Sequence, residues 1–258
     1  MTGAARAESA VEAWRWGAGA DHHGVWVWPA GPCRPGPAVV LLHGGFWRAE
    51  YDLTLMLPLA HDLARHGVAS CSLEYRRRTP GERGVADASV ADVLAGWAAC
   101  AAHRLVRPDR MAVVGHSAGG TLALLVAARA PIPPLLALAQ AAVTDLRAAD
   151  HEALSDGGDA VRKWVGIGPG EAPERWRAVD PCVWRPRCPV VMAHGRADRD
   201  VPASQCERYL AAHAEAPGLR SLSLPGDHYA IIDPGAQDWR PQRALILEAL
   251  CETVTTTR

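Results

Sequence analysis

The sequence has almost no net charge, because 27 basic residues stand against 28 acidic ones for a formal net charge of −1. It has no basic stripe and no polybasic run, which argues against nucleic acid or a membrane surface as a partner. No stretch reaches 18 apolar residues without a charge or a proline cluster, so no membrane-spanning segment is predicted. Internal repeats and low-complexity segments are absent as well. The 258 residues, 49% hydrophobic and 21% charged, predict one globular domain over 1–258.

A disulfide framework is not indicated either. The seven cysteines are odd in number and scattered, and no secretory leader precedes them. Cys182 and Cys188 lie close together in sequence, but no second pair with metal-ligand spacing accompanies them, so we expect no metal and no other cofactor. Cys71 and Cys100 lie in apolar runs and are predicted to be buried. We expect a reduced, cytoplasmic protein.

The stretch Gly115-His116-Ser117-Ala118-Gly119-Gly120 organises the rest of the chain. It follows an apolar run at 110–114, predicted to be a buried strand, and precedes an Ala- and Leu-rich run at 121–128, predicted to be a helix. A serine between two glycines on such a turn is the G-x-S-x-G pattern of a nucleophile elbow. The flanking residues must be small because strand and helix cross closely there. The pattern predicts Ser117 as a nucleophile and the N–H of Ala118 as an oxyanion donor.

A second glycine-containing loop follows the earlier apolar run at 38–42. Its sequence is His43-Gly44-Gly45-Phe46-Trp47, and a His-Gly-Gly loop after an early strand is the other source of oxyanion donors in this pattern. Glycines let backbone N–H groups face a cavity without obstruction by a Cβ atom. We therefore predict an oxyanion hole made by Gly44, Gly45 and Ala118.

Predicted strands and helices alternate along the chain. An antiparallel hairpin is expected over 14–28, further buried strands at 68–75, 135–139, 189–193 and 220–224, and helices at 53–65, 87–103, 203–216 and 240–253. This alternation predicts an α/β fold with a mostly parallel central sheet covered by helices on both faces. Residues 144–187 have a mixed, polar composition with Gly-rich stretches. This indicates a small helical cap inserted over the carboxyl edge of the sheet, a candidate lid. Residues 1–10 are predicted to be a ragged terminus, and the arginines at 76–78 a solvated loop.

Polar residues follow several predicted strands, and open α/β sheets bind ligands outside the carboxyl ends of their strands. Ser117, Asp198 and His228 follow one another in the order Ser…Asp…His, which is the order of hydrolases with this elbow. His228 would take the serine proton, and Asp198 would fix the imidazole tautomer. Asp200 is the rival acid, and Asp198 is favoured because it follows the strand sooner. Asp145 is a weaker candidate.

The remaining histidines and acids have simpler interpretations. Of the eleven histidines, only His228 follows the last predicted strand. His43 and His194 each end a strand and are expected to hold loops by hydrogen bonds, while His116 is expected to be structural. Asp227 and Asp233 are expected to be turn residues.

Six motifs carry a resemblance to a known family. They are His43-Gly-Gly-Phe-Trp47, Leu73-Glu-Tyr-Arg76, Gly115-His-Ser-Ala-Gly-Gly120, Asp145-Leu146, His194-Gly-x-x-Asp-x-x-Val-Pro202 and His228-Tyr-Ala-Ile-Ile-Asp-Pro234. With them the chain resembles the α/β-hydrolase fold and, within it, the kynurenine formamidase (arylformamidase) group of serine hydrolases. The resemblance implies a cofactor-free hydrolase of the N-formyl amide of an aryl substrate such as N-formylkynurenine. It carries the family's triad to Ser117, Asp198 and His228, and its oxyanion loop to Gly44 and Gly45.

The predicted function is a serine hydrolase of a small amide or ester, with an aryl formamide as the first substrate to consider. A broad carboxylesterase, an acyl transferase or cyclase with the same triad, and a binding protein that has lost turnover stay open as alternatives. The substrate pocket is expected to be lined by Phe46, Trp47, His116 and Tyr229. The expected partner is a small-molecule substrate, with a homodimer as an option and with neither nucleic acid nor a membrane.

Overall fold

The structure is a computed structural model that describes residues 5–6 and 8–251. The strands are β1 (Ala5–Arg6), β2 (Ala10–Arg15), β3 (His23–Trp28), β4 (Gly31–Pro32), β5 (Gly36–Leu42), β6 (Ala69–Leu73), β7 (Val106–His116), β8 (Leu136–Gln140), β9 (Val190–Gly195) and β10 (Leu219–Leu224). The α-helices are α1 (Leu57–Arg65), α2 (Ala86–Ala101), α3 (Ala118–Arg129), α4 (Leu146–His151), α5 (Ala160–Val165), α6 (Pro173–Val179), α7 (Ala203–Ala212) and α8 (Trp239–Cys251). Short 3₁₀ helices lie at Leu53–Met56, Pro181–Val183 and Ala230–Ile232.

Eight strands form the central sheet in the order β10-β9-β8-β7-β5-β6-β3-β2. The five pairs from β10 to β6 are parallel, whereas β3 is antiparallel to both β6 and β2. The hairpin expected at the start of the chain is therefore confirmed as an antiparallel edge on a parallel sheet. This order, with helices between the parallel strands, confirms the predicted α/β-hydrolase architecture.

Helices cover both faces of the sheet. The side chains of each strand point alternately to the two faces. In β5, Val40 and Leu42 belong to one buried cluster, while Val39 and Leu41 belong to a second one. The first cluster includes side chains of α2 and α3, and the second includes side chains of α1 and α8. The central strands are thus buried on both faces, and this produces continuous apolar runs in their sequence.

The insertion at 144–187 consists of short helices, as predicted, and it is attached to the body by specific contacts. The Trp164 ring of α5 stacks on the Trp47 ring with centroids 4.1 Å apart and planes 7° apart. Its Nε1 donates a hydrogen bond to Ser89 Oγ on α2 at 3.0 Å. Further along, Arg129 at the end of α3 donates to the carbonyl of Ala178 at 3.0 Å. The insertion therefore packs on α2, α3 and the loop after β5.

The expectation for the loop at 76–78 needs correction. The arginines at 76–78 do not form a simple solvated loop, because Arg76 makes a bidentate pair with the buried Asp92, with both N···O distances 2.7 Å. Arg77 lies 3.0 Å from Glu74 and 3.2 Å from Asp21. The Arg76–Asp92 and Arg77–Asp21 pairs depend on contacts between separate segments, which local sequence does not reveal.

The predicted ragged terminus is partly structured. Strand β1 pairs with β4, and β2 begins at Ala10; residues 1–4 and 7 lie outside the described residues. Among the helices of the described part of the chain, none combines the length and apolar character needed to cross a membrane.

Candidate active site

Ser117 lies on the turn between β7 and α3, where the backbone is strained. Its φ of 54° and ψ of −118° lie in a region that residues other than glycine rarely adopt. A Cβ atom on Gly115 would collide with the Gly119 carbonyl, and one on Gly119 would collide with the backbone of β5. The two glycines let strand, turn and helix cross this closely, so the predicted elbow is present. The helix begins at Ala118, and its first N–H groups lack intrahelical acceptors.

His228 and Asp198 form a hydrogen-bonded pair at the carboxyl end of the sheet. His228 Nδ1 lies 2.7 Å from Asp198 Oδ2, and both side chains are buried. Because a carboxylate only accepts, Nδ1 carries the proton and Nε2 is left as the acceptor. Ser117 and His228 line the same cavity. The geometry thus joins the base and the acid that the sequence order predicted, and it leaves His228 Nε2 as the nitrogen able to accept a proton.

Asp198 is held as an anion by its surroundings. Its Oδ1 accepts hydrogen bonds from the N–H groups of Asp200 and Val201, each at 2.9 Å. Burial raises the pKa of Asp198, but the hydrogen bond and charge of His228 and the two backbone donors outweigh it, so the pKa lies below the ordinary value. Asp200, the rival acid, is exposed and lines the cavity.

The loop after β5 lies directly beside Ser117. Its backbone is left-handed at three consecutive residues: φ is 106° at Gly45, 47° at Phe46 and 54° at Trp47. A Cβ atom added to Gly44 would lie 3.0 Å from the Ser117 Cβ, so this loop approaches the nucleophile as closely as its backbone permits. Such a loop can present backbone N–H groups to an oxygen bound at Ser117.

His43 holds this loop from behind, as predicted. Its Nδ1 lies 2.8 Å from the Gly44 carbonyl, and its Nε2 lies 2.9 Å from Glu74 Oε1. The Tyr75 hydroxyl donates to the His43 carbonyl at 2.8 Å, and the two rings are stacked. His194, in β9, has a similar role, with its Nε2 3.0 Å from the Val201 carbonyl.

His116 connects the elbow to the loop that carries His228. It is buried, and its Nε2 donates to the His228 carbonyl at 2.9 Å. Burial, reinforced by the neighbouring His228 charge, lowers the pKa of His116 to about 3. The ring is therefore neutral at ordinary pH, with its proton on Nε2. This agrees with the expected structural role, and His116 also lines the cavity as predicted.

The cavity beside Ser117 has a volume of about 90 Å³. Three of the four residues predicted to line it do so, namely Phe46, His116 and Tyr229. The prediction for Trp47 is wrong, because its fully buried ring faces the insertion and stacks on Trp164. The left-handed backbone turns Phe46 and Trp47 to different sides, and their ring planes differ by 70°. Trp164 is likewise buried and lies outside the cavity lining.

Several lining residues had no individual signal in the sequence. They come from three separate segments and are Arg48, Tyr51, Leu55, Asp156 and Ile232. Arg48 follows the predicted oxyanion loop directly, so its position next to that loop was the one usable signal. Asp156 belongs to the insertion and reaches the cavity only through the tertiary fold.

Asp145, the weaker candidate acid, and the two predicted turn residues have local structural roles. Asp145 accepts the Ala148 N–H and caps α4. Asp227 accepts the N–H groups of Tyr229 and Ala230, and Asp233 accepts that of Gly235, so both are turn residues as expected. These contacts remove Asp145 as a rival acid.

One group of metal-ligating side-chain types occurs within the described ranges. Asp198, Asp200 and His228 place one ligand atom each within 4.8 Å of one another. Since Asp198 and His228 already bond to each other, the chemistry of this group fits a hydrogen-bonded acid–base pair.

A larger cavity of about 440 Å³ lies near Gly36 and Ala69, at the amino ends of β5 and β6. Its lining contains no residue of the elbow or its partners.

Residues 65–221, more than half of the chain, match the prolyl oligopeptidase family. Among curated proteins, none matches the chain. Several solved structures share its fold. A truncated carbohydrate esterase from gut microbiota superimposes with a TM-score of 0.78 at 16% identity, covering 98% of this chain and 100% of that one.

Two further structures illustrate the range of proteins with this architecture. Esterase B from Lactobacillus rhamnosis has a TM-score of 0.78 and 18% identity, covering 96% of this chain and 87% of that one. A puromycin hydrolase has a TM-score of 0.74 and 22% identity, covering 94% of this chain but only 39% of the other. At these identities the likeness is one of fold.

Proposed function

Since the chain belongs to the prolyl oligopeptidase family and is a hydrolase with the α/β-hydrolase fold, we propose that it cleaves small esters or amides through an acyl-enzyme on Ser117. The observation that carries this proposal is the His228–Asp198 pair, whose imidazole lines the same cavity as the strained Ser117. A serine hydroxyl is a weak nucleophile on its own and needs such a base.

The proposed mechanism assigns one role to each group. Ser117 Oγ attacks the substrate carbonyl while His228 Nε2 takes its proton, and the Asp198 carboxylate stabilises the imidazolium that forms. The N–H groups of Ala118 and of the Gly44–Gly45 loop donate to the tetrahedral oxyanion. His228 then returns the proton to the leaving group. Water, activated by the same imidazole, attacks the acyl-enzyme and releases Ser117.

The size of the cavity favours a short acyl group. Its volume of about 90 Å³ is well below the roughly 300–1,000 Å³ of sites that enclose drug-sized ligands. A formyl or acetyl group can be enclosed in such a cavity, whereas a long acyl chain would extend beyond it. Phe46, Tyr51 and Tyr229 give the rim an aromatic character that suits an aryl leaving group.

Within this class we propose an aryl formamide, with N-formylkynurenine as the representative substrate. The support is the small acyl space, the aromatic rim and the sequence motifs around His43 and His228. A broad carboxylesterase is the second candidate. It is favoured by the open mouth of the cavity, where Tyr229 is 61% exposed, and by the esterases that share the fold.

Hydrolysis of N-formylkynurenine beside p-nitrophenyl acetate tests the proposal in the wild type and in Ser117→Ala. Ser223→Ala, an exposed serine on β10, is the matched control and should keep wild-type rates. We expect Ser117→Ala to abolish turnover of both substrates while the circular dichroism spectrum is retained. Faster turnover of the formamide supports the formamidase, and turnover of the ester alone supports the carboxylesterase. Full activity of Ser117→Ala on every substrate would refute the acyl-enzyme.

A further inference from the structure

The side chain of Arg48 lines the cavity of Ser117 and has few strong partners of its own. It follows the Gly44–Gly45 loop, and its backbone is fixed by a hydrogen bond from its N–H to the Gly45 carbonyl at 3.0 Å. The guanidinium carbon lies 5.5 Å from the centre of the Tyr51 ring, which the cavity also includes. The position of this cation is therefore set before any substrate binds.

The two acidic side chains near Arg48 are exposed to solvent and lie at long pairing distances from the guanidinium. Its Nη1 and Nη2 atoms lie 3.4 Å from Asp156 Oδ2, and the Asp156 side chain is 88% exposed. Its Nε lies 3.8 Å from Glu50, which is 64% exposed, and makes no hydrogen bond although the atom is buried. Exposed pairs of this kind contribute little to stability. A guanidinium with a buried, unsatisfied N–H at a ligand cavity retains the capacity to bind an anion.

We propose that Arg48 binds a carboxylate carried by the leaving group of the substrate, and that this carboxylate takes the place of Asp156. The planar guanidinium fork matches a carboxylate in bidentate geometry. The carboxylate is assigned to the leaving group because the proposed acyl groups, formyl and acetyl, carry no carboxylate. The inference rests on the proposed hydrolysis of short-acyl aryl substrates.

Another charged residue of the cavity lining bears on the orientation of the substrate. Asp200, near the His228–Asp198 pair, presents an exposed carboxylate. A carboxylate on the substrate is repelled by Asp200 and attracted to Arg48. Arg48 thereby acts on specificity, by distinguishing an anionic leaving group from a neutral one of the same shape.

The test compares acetate esters of matched shape. The 3- and 4-carboxyphenyl acetates are anionic at pH 7, and the 3- and 4-carbamoylphenyl acetates are their neutral counterparts. We expect the wild type to prefer the better carboxylate ester over its counterpart in kcat/KM by about tenfold, the order expected for a charge-assisted hydrogen bond. Arg48→Gln should remove this preference, mainly through KM.

Two further variants separate binding from a structural effect. Asp156→Asn removes the anion that competes for Arg48, so it should increase the preference for the carboxylate ester. Arg199→Gln makes the same change of charge at an exposed position outside the cavity lining and should leave the preference as in the wild type. Equal preferences in the wild type and Arg48→Gln would overturn the inference, as would an Arg199→Gln effect of the same size.

A binding measurement keeps the inference testable apart from turnover. Calorimetry with 3- and 4-hydroxybenzoate against the matching hydroxybenzamides should show tighter binding of a carboxylate to the wild type and the loss of that difference in Arg48→Gln. If the esters are not hydrolysed but this difference is found, the proposed function fails and the carboxylate site stands. If the esters are hydrolysed without any dependence on Arg48, the site fails and the hydrolase stands.

Discussion

His228 Nδ1 and Asp198 Oδ2 lie 2.7 Å apart, while Asp200, only two residues along the chain, is exposed to solvent. The turn that separates them is built around Asp198 itself, whose Oδ1 accepts the N–H groups of Asp200 and Val201. One carboxylate thus shapes its own loop with one oxygen and orients the imidazole with the other. The Asp200 carboxylate takes part in neither interaction.

This relationship predicts different effects for two similar substitutions. Asp198→Asn should lower kcat by about 10³- to 10⁴-fold, because an amide can hold the imidazole in the wrong tautomer. Asp200→Asn should change kcat for a neutral ester by less than about tenfold, since Asp198 and not Asp200 is hydrogen-bonded to the imidazole. Steady-state kinetics with p-nitrophenyl acetate at pH 7–8 measure both. Equal losses in the two variants would contradict the assignment of the acid.

His116 is predicted to act through the position of His228. Replacing it with Leu removes the donor to the His228 carbonyl, and we expect kcat to fall by about tenfold, the value of one or two kcal/mol for a buried hydrogen bond. His116→Gln keeps an N–H donor and should recover part of the loss. Because the pKa of His116 is lowered to about 3, the ring does not titrate near neutrality. The acidic limb of the pH–kcat profile should therefore persist in His116→Gln, and its disappearance would show that His116 is the titrating group.

Gly45 is predicted to be essential to the loop beside Ser117. Its φ of 106° disfavours any side chain, and a Cβ atom would collide with the base of the Tyr51 side chain. The left-handed conformation alone costs a non-glycine residue about 1–2 kcal/mol, so Gly45→Ala should lower the free energy of unfolding by at least that amount and also reduce kcat. Gly170→Ala is the control, since nothing lies within 4 Å of a Cβ there. Urea denaturation and ester kinetics report the two effects, and a neutral Gly45→Ala would contradict the prediction.

Asp180 makes stability depend on pH. Burial raises the pKa of Asp180 from 3.8 to about 7. Between these two values the folded protein holds a proton that the unfolded chain has released, so this group lowers the free energy of unfolding as pH rises. The side chain accepts the N–H groups of Leu146 and Cys182, and so joins α4 to the short 3₁₀ helix that follows α6.

Asp180→Asn imitates the protonated carboxyl. Relative to the wild type, the variant should gain stability as pH rises from about 4 to about 7, by up to about 4 kcal/mol at 1.36 kcal/mol for each pH unit. The free energies of unfolding of the variant and the wild type are subtracted because the titration of His116 changes that free energy in the opposite direction. Its pKa is lowered to about 3 from 6.5, so its contribution is lost as pH falls below 6.5. Urea unfolding at several pH values measures the difference, and a difference independent of pH would contradict it.

The fold and the acid–base pair were predictable because their signals are local. A serine between glycines, with a strand before and a helix after, specifies the elbow through sterics alone. The positions of Asp198 and His228 followed from the rule that loops at the carboxyl ends of neighbouring parallel strands meet. The order Ser…Asp…His along the chain then assigned the roles of acid and base to Asp198 and His228.

The walls of the cavity were less predictable. Trp47 was expected to face the substrate, but its direction depends on the left-handed backbone of three consecutive residues, which composition does not specify. Arg48 and Asp156 meet across 108 positions of sequence, and Arg76 and Asp92 meet across an unrelated loop. Such pairs form when helices dock on the sheet, so no single window of sequence contains them.

The Trp47–Trp164 stack has a consequence for how the protein loses activity. Trp47 belongs to the loop beside Ser117, and Trp164 belongs to the insertion, so each indole provides part of the other's shelter from water. Detachment of the insertion would expose Trp47 and remove the packing that holds the loop in its left-handed form. The two segments therefore open as one cooperative unit. We expect their amide hydrogens to exchange at similar limiting rates, and heat inactivation to begin at the temperature at which the insertion detaches.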